Sequence, residues 1–98
     1  MISQDQLLKT YNQPEKNYFL LDVRTPYEYD NHHLLGSINI PIDTMEIHLN
    51  EIPKNKHIIT ICEHGIRSGA AAEYLVAKKY DCDSLDGGLS IWKGQLVH

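Results

Sequence analysis

The chain has 98 residues, a formal net charge of −4 and 42% hydrophobic residues, which suits one small globular domain spanning residues 1–98 and not two. The acidic balance excludes a chain-wide attraction to nucleic acid or to anionic lipid, and no apolar run is long enough to span a bilayer. Met1 to Thr10 is polar and does not read as a signal peptide, and Cys62 and Cys82 alone make no disulfide framework, so a cytoplasmic, reducing location is expected.

Ser3 followed by Gln6 has the form of a capping box, and Leu7, Leu8 and Tyr11 recur at helical spacing, predicting a first helix that ends near Asn12 and Pro14. Tyr18 to Val23 is a short apolar and aromatic run, read as a buried strand. Pro26 then starts a turn with a short helix over Tyr27 to Asp30. Gly36 to Ile40 is a second strand-like run closed by Pro41, and Asp43 with Glu46 predicts a capped helix through Leu49.

His57 to Ile61 is β-branched and almost wholly apolar, as expected of a central strand. Arg67 to Tyr80 is the strongest helix, with apolar pairs Ala71/Leu75 and Ala72/Val76 and a basic end at Lys78 and Lys79. Cys82 to Leu85 returns as a strand, Gly87-Gly88 break it, and Leu89 to Lys93 form a last short helix. Strands alternating with helices imply an α/β fold, a small, mostly parallel central sheet flanked by helices on both faces. Ligands in such sheets sit at the carboxyl ends of the strands. Cys62 stands at such an end, directly after the most strand-like segment.

The segment Cys62-Glu63-His64-Gly65-Ile66-Arg67-Ser68 therefore links a buried strand to a helix. A loop closing over one side chain turns its backbone N–H groups inward, Gly65 permits a tight backbone, and the helix start adds free donors and a positive dipole end. Such a nest holds an anion. A free cysteine has a pKa of about 8.5, and a nest with a neighbouring arginine favours the thiolate. Cys62 is thus expected to be a nucleophile ionised before its substrate arrives. Cys82 has no basic neighbour and reads as a structural cysteine. The one close Cys/His pair, Cys62 and His64, does not make a zinc spacing, so no metal is expected.

The loop resembles the active-site signature of the rhodanese family, Cys-x-x-Gly-x-Arg followed by Ser or Thr. Three further stretches agree: Leu21-Asp22-Val23-Arg24 is similar to the family's Asp-Val-Arg segment. Glu28-Tyr29, His33, Gly36 and Ile38 to Pro41 resemble its Glu-aromatic…His…Gly-Ala-Ile-Asn-Ile-Pro stretch. Gly87-Gly88-Leu89 with Trp92 resembles its C-terminal element. His32 departs from the family's frequent Gly, and the chain after Trp92 is short and lacks the usual Pro.

The resemblance implies a rhodanese-like fold and transfer of sulfane sulfur through a persulfide on Cys62, with no cofactor. It carries substrate binding onto Glu63, His64, Gly65, Ile66, Arg67 and Ser68. It implies a small anionic donor, such as thiosulfate or a persulfide, or a desulfurase partner. The acceptor would be a thiol, cyanide or a sulfur-carrier protein. Asp22, Arg24, Glu28 and His33 are expected to brace the loop against the sheet. Glu63 and His64 should point outward, either tuning donor choice or forming the rim, and Trp92 belongs to the core. A cysteine phosphatase or arsenate reductase on the same scaffold would have one more residue between Cys and Arg than the four found here. A non-catalytic interaction module commonly lacks the nucleophile, whereas Cys62 and Arg67 are both present.

Overall fold

In a computed structural model describing residues 1–98, four parallel strands form one sheet. The elements are α1 (Gln4–Thr10), β1 (Tyr18–Asp22), α2 (Pro26–Asn31), β2 (Ile38–Asn39), β3 (His57–Ile61), α3 (Ile66–Ala77) and β4 (Cys82–Ser84), in the sheet order β2-β1-β3-β4. β1 and β3 run side by side over their full length, Tyr18 opposite His57 and Asp22 opposite Ile61. Because the chain leaves β1 first toward β2 and then crosses to β3, the strand order reverses between β1 and β3. A crevice opens at the carboxyl ends of strands at such a switch point. Asp22, Val23 and Arg24 approach it from one strand and Cys62 from the other.

Alternation along the strands supplies both cores, since successive side chains face opposite sides. On one face Leu21, Val23, Ile58, Ala71, Leu75 and Met45 cluster under α3, together with Cys62. On the other, Leu20, Ile59, Ile61, Leu7, Leu85, Leu89 and Trp92 cluster under α1. Trp92 is in the core as expected, 9% exposed and edge-on to Tyr11 with ring centroids 5.6 Å apart. Thr60, buried on the α3 side, donates to the carbonyl of Ser68 at 2.8 Å and so fixes the start of α3 to the central strand.

Four expectations are corrected. Asp43 does not cap a helix; Ile42–Glu51 is a 3₁₀ stretch behind Pro41, with Thr44 N–H bonded to the Pro41 carbonyl. Its Ile, Thr, His and Asn residues are weak α-formers, and the turn tightens. The predicted helix to Tyr80 ends at Ala77, because Lys79 takes a left-handed φ of 73° and Tyr80 N–H turns back to the Leu75 carbonyl. The last helix is a single 3₁₀ turn, Leu89–Ile91. Ser3 does cap Gln6 N–H, but Gln6 does not return the bond; it is Gln4 whose side chain reaches across, to the carbonyls of Asp86 and Gly88.

Candidate active site

Cys62 is 1% exposed and follows the last residue of β3. Two backbone donors converge on its sulfur: Gly65 N–H at 3.0 Å and Ser68 N–H at 3.3 Å. Ser68 Oγ also lies 3.3 Å from Sγ, while its hydroxyl donates to the Gly65 carbonyl. The turn that allows this geometry passes through Gly65 at φ 94°, where a Cβ would stand 3.1 Å from Gly87 N. Only glycine adopts that conformation without steric cost.

The carbonyls of the loop are held from behind. Leu89 N–H and Ser90 N–H donate to the carbonyls of Cys62 and Glu63, each at 2.9 Å. Gly88 makes the approach possible: a Cβ there would meet the Glu63 carbonyl oxygen at 2.4 Å. With these acceptors occupied, the N–H groups of Glu63, His64, Ile66 and Arg67 have no acceptor within the protein. A cradle of free donors beside a sulfur stabilises negative charge there.

The expected brace is partly redrawn. Asp22 and Arg24, both 0% exposed, form the buried pair at the mouth: Nε lies 3.0 Å from Oδ1 and Nη2 lies 2.8 Å from Oδ2. Burial pulls the Arg24 pKa down, but the hydrogen bonds and charge of Asp22 outweigh it and leave the guanidinium above its usual value. Arg24 Nη2 also donates to the His32 carbonyl at 2.7 Å.

Glu28 holds the loop to α2 rather than to the sheet. It grips Arg67 with both oxygens, at 2.7 and 2.9 Å, and this pair joins α2 to α3. The Arg67 hydrogen bond holds the Glu28 carboxyl at a pKa of about 2. Glu28 also closes a capping box with Thr25, a pattern legible in Thr25-Pro26-x-Glu28 but missed from sequence.

His33 braces the C-terminal segment instead. Its ring stacks on Tyr29 at 3.8 Å between centroids, and its backbone pairs with Val97. His64 and Ile66 point outward, and Ile66 is 82% exposed. Glu63, expected to point outward, turns in, its Oε1 3.3 Å from Arg24 Nη1 and 3.8 Å from His32 Nε2. The Gly87–Ser90 clamp was also missed. Contacts between Cys62 and Leu89 arise only after folding, and no local pattern announces them.

A parallel α/β sheet whose switch point presents a cysteine in a short donor-lined loop defines the rhodanese-like class of folds. The comparisons agree: the rhodanese-like domain family matches residues 3–95, and the chain belongs to that family. It is 33% identical over 103 residues to the YqhL protein of Bacillus subtilis, covering 97% of this chain and 80% of that one. It is 31% identical over 80 residues to the thiosulfate sulfurtransferase GlpE of Pseudomonas syringae, covering 81% of this chain and 76% of that one. Among solved structures, a rhodanese-related protein of Thermoplasma volcanium superposes with a TM-score of 0.89 at 31% identity, covering 98% of this chain and 95% of that one.

Proposed function

We propose that the protein is a sulfurtransferase that moves sulfane sulfur, from a donor such as thiosulfate or a persulfide, to a thiophilic acceptor through a persulfide on Cys62. The observation that carries this reading is the convergence of Gly65 N–H and Ser68 N–H on the Cys62 sulfur, with four further loop N–H groups free. Relatedness to proteins described as thiosulfate sulfurtransferases supports it. The Cys62 thiolate attacks the outer sulfur of thiosulfate; the new S–S bond forms as the old one breaks, and sulfite leaves with the electron pair. An acceptor nucleophile then attacks the terminal sulfur and returns Cys62 to the thiolate. Loop donors that hold the anionic sulfur before and after transfer need not reorganise between the two steps. The acceptor would be a thiol, cyanide in an assay, or a carrier protein, and a thiol-dependent cycle suits a reducing cytoplasm.

Intact mass after incubation with a sulfur donor tests the reading. One sulfur should appear on Cys62, Cys62→Ser should abolish both this gain and thiosulfate-to-cyanide transfer, and Cys82→Ser should keep most of both. Substantial transfer by Cys62→Ser would overturn the assignment. The same preparation should hydrolyse aryl phosphates poorly, because four residues between Cys62 and Arg67 close around one sulfur and leave little room for the equatorial oxygens of a phosphoryl group.

A further inference from the structure

The immediate neighbour of the candidate nucleophile is a carboxylate that does not swing free. Glu63 Oε1 is held 3.3 Å from Nη1 of the buried Arg24, and the Glu63 side chain is 27% exposed. Arg24 is already committed, through Nε and Nη2, to Asp22 and to the His32 carbonyl. Arg67, the other cation at the loop, is committed to both oxygens of Glu28. Two guanidinium groups thus face three carboxylates, those of Asp22, Glu28 and Glu63, which leaves one negative charge before the sulfur ionises. The remaining titratable neighbours are His32, 3.8 Å from Glu63, and the exposed His64. Lysine is absent from Asp22 to Pro41 and from Cys62 to Ser68. The outward residue of the loop, Ile66, is apolar and 82% exposed.

We propose that Glu63 is a specificity-determining residue, a negative charge held on Arg24 by the residue that follows Cys62, which disfavours dianionic sulfur donors and leaves persulfides of low charge as the preferred donor. This rests on the sulfur-transfer reading and names the donor class for the same site. With an alkyl persulfide, the Cys62 thiolate attacks the terminal sulfur. The new S–S bond forms, the old S–S bond breaks, and the thiolate R–S⁻ leaves with the electron pair. The proton stays on the transferred sulfur, and no oxidant is needed. Thiosulfate undergoes the same displacement with sulfite as leaving group, but it brings two negative charges to a mouth that is already net negative. Like charges in a partly desolvated site repel strongly enough to alter rates by an order of magnitude.

Glu63→Gln removes the charge and keeps an oxygen acceptor for Arg24. The rate constant for adding one sulfur to Cys62 is measured by intact mass, with thiosulfate and with the persulfide of mercaptoethanol. In Glu63→Gln the thiosulfate rate constant should rise about tenfold and the persulfide rate constant less than about threefold. A merely structural role would move both donors together, and equal changes, or none, would overturn the proposal. Should Glu63→Gln fold poorly, the unaltered protein decides. Thiosulfate loading should accelerate relative to persulfide loading between about 0.01 and 1 M salt, as the screening length falls from about 30 to 3 Å. A flat or falling ratio overturns the proposal. If neither donor loads Cys62 at all, the sulfur-transfer reading falls and this proposal falls with it.

Discussion

The two cysteines of this chain sit in opposite surroundings. Cys62 meets backbone donors at a helix start, whereas Cys82 lies half-buried on β4 between Asp81 and Asp83. Burial pushes the Cys82 thiol up to about 12, and the charges of Asp83 and Asp81 add to it. A rise from 9.0 to about 12 leaves about a thousandfold less thiolate at neutral pH. In Cys62→Ser protein, the remaining thiol should therefore alkylate about a thousandfold more slowly than an unhindered thiol, and denaturant should restore the ordinary rate. Alkylation of folded Cys62→Ser at the free-thiol rate would show the Cys82 environment to be wrong. The folded state holds this proton longer, so its contribution to stability is present below pH 9 and is lost as pH rises through about 12.

Between elements, two contacts hold the loop: the Glu28–Arg67 pair in front and the Gly87–Ser90 clamp behind. The Arg67 hydrogen bond lowers Glu28 from 4.5 to about 2. A depressed carboxyl stabilises the fold above its unfolded pKa, and the benefit is lost as pH falls from 4.5 through about 2. The melting temperature should therefore drop over that acid range, and Glu28→Gln should flatten part of the drop while lowering stability at neutral pH. An unchanged acid slope in Glu28→Gln would contradict the pairing. The clamp predicts a larger effect. Gly88 has φ 72° and stands where a Cβ would strike the Glu63 carbonyl oxygen at 2.4 Å. Backbone on both sides leaves nothing flexible to yield, so Gly88→Ala should cost at least about 2 kcal/mol in denaturant unfolding and slow sulfur loading. Wild-type stability in that variant would mean the clamp is loose.

Across the whole molecule, one sheet is buried on both faces, and β3 runs through its middle. Ile58 and Ile59 are each fully buried but belong to different clusters, one under α3 and the other under α1. Ile58→Ala and Ile59→Ala should each cost about 2–5 kcal/mol, a large share of the 5–15 kcal/mol typical of a domain. A chemical-denaturation midpoint that moved for only one of them would imply that one face is loosely packed. The same double burial explains why β3 was easy to recognise: a strand covered on both sides is apolar without alternation. β2, only Ile38–Asn39 and at the sheet edge, has few ladder bonds to define its ends, and the run read from Gly36 to Ile40 overshoots it.

By itself the sequence determined what depends on local pattern: the β3–loop–α3 segment, the place of Cys62 at a strand end, the parallel α/β class and the family. These are properties of residues a few positions apart, governed by strand apolarity, glycine conformation and helix periodicity. Only the tertiary structure decided which charges meet. Asp22 and Arg24 could be paired from sequence because they are two residues apart. Glu28 and Arg67 are 39 apart, as are Arg24 and Glu63, and their partners depend on how α2 and the loop pack at the switch point between β1 and β3. The helix end at Ala77 was likewise hidden, because the left-handed φ at the exposed Lys79 is imposed by the turn that returns Tyr80 N–H to the Leu75 carbonyl and not by the residue itself.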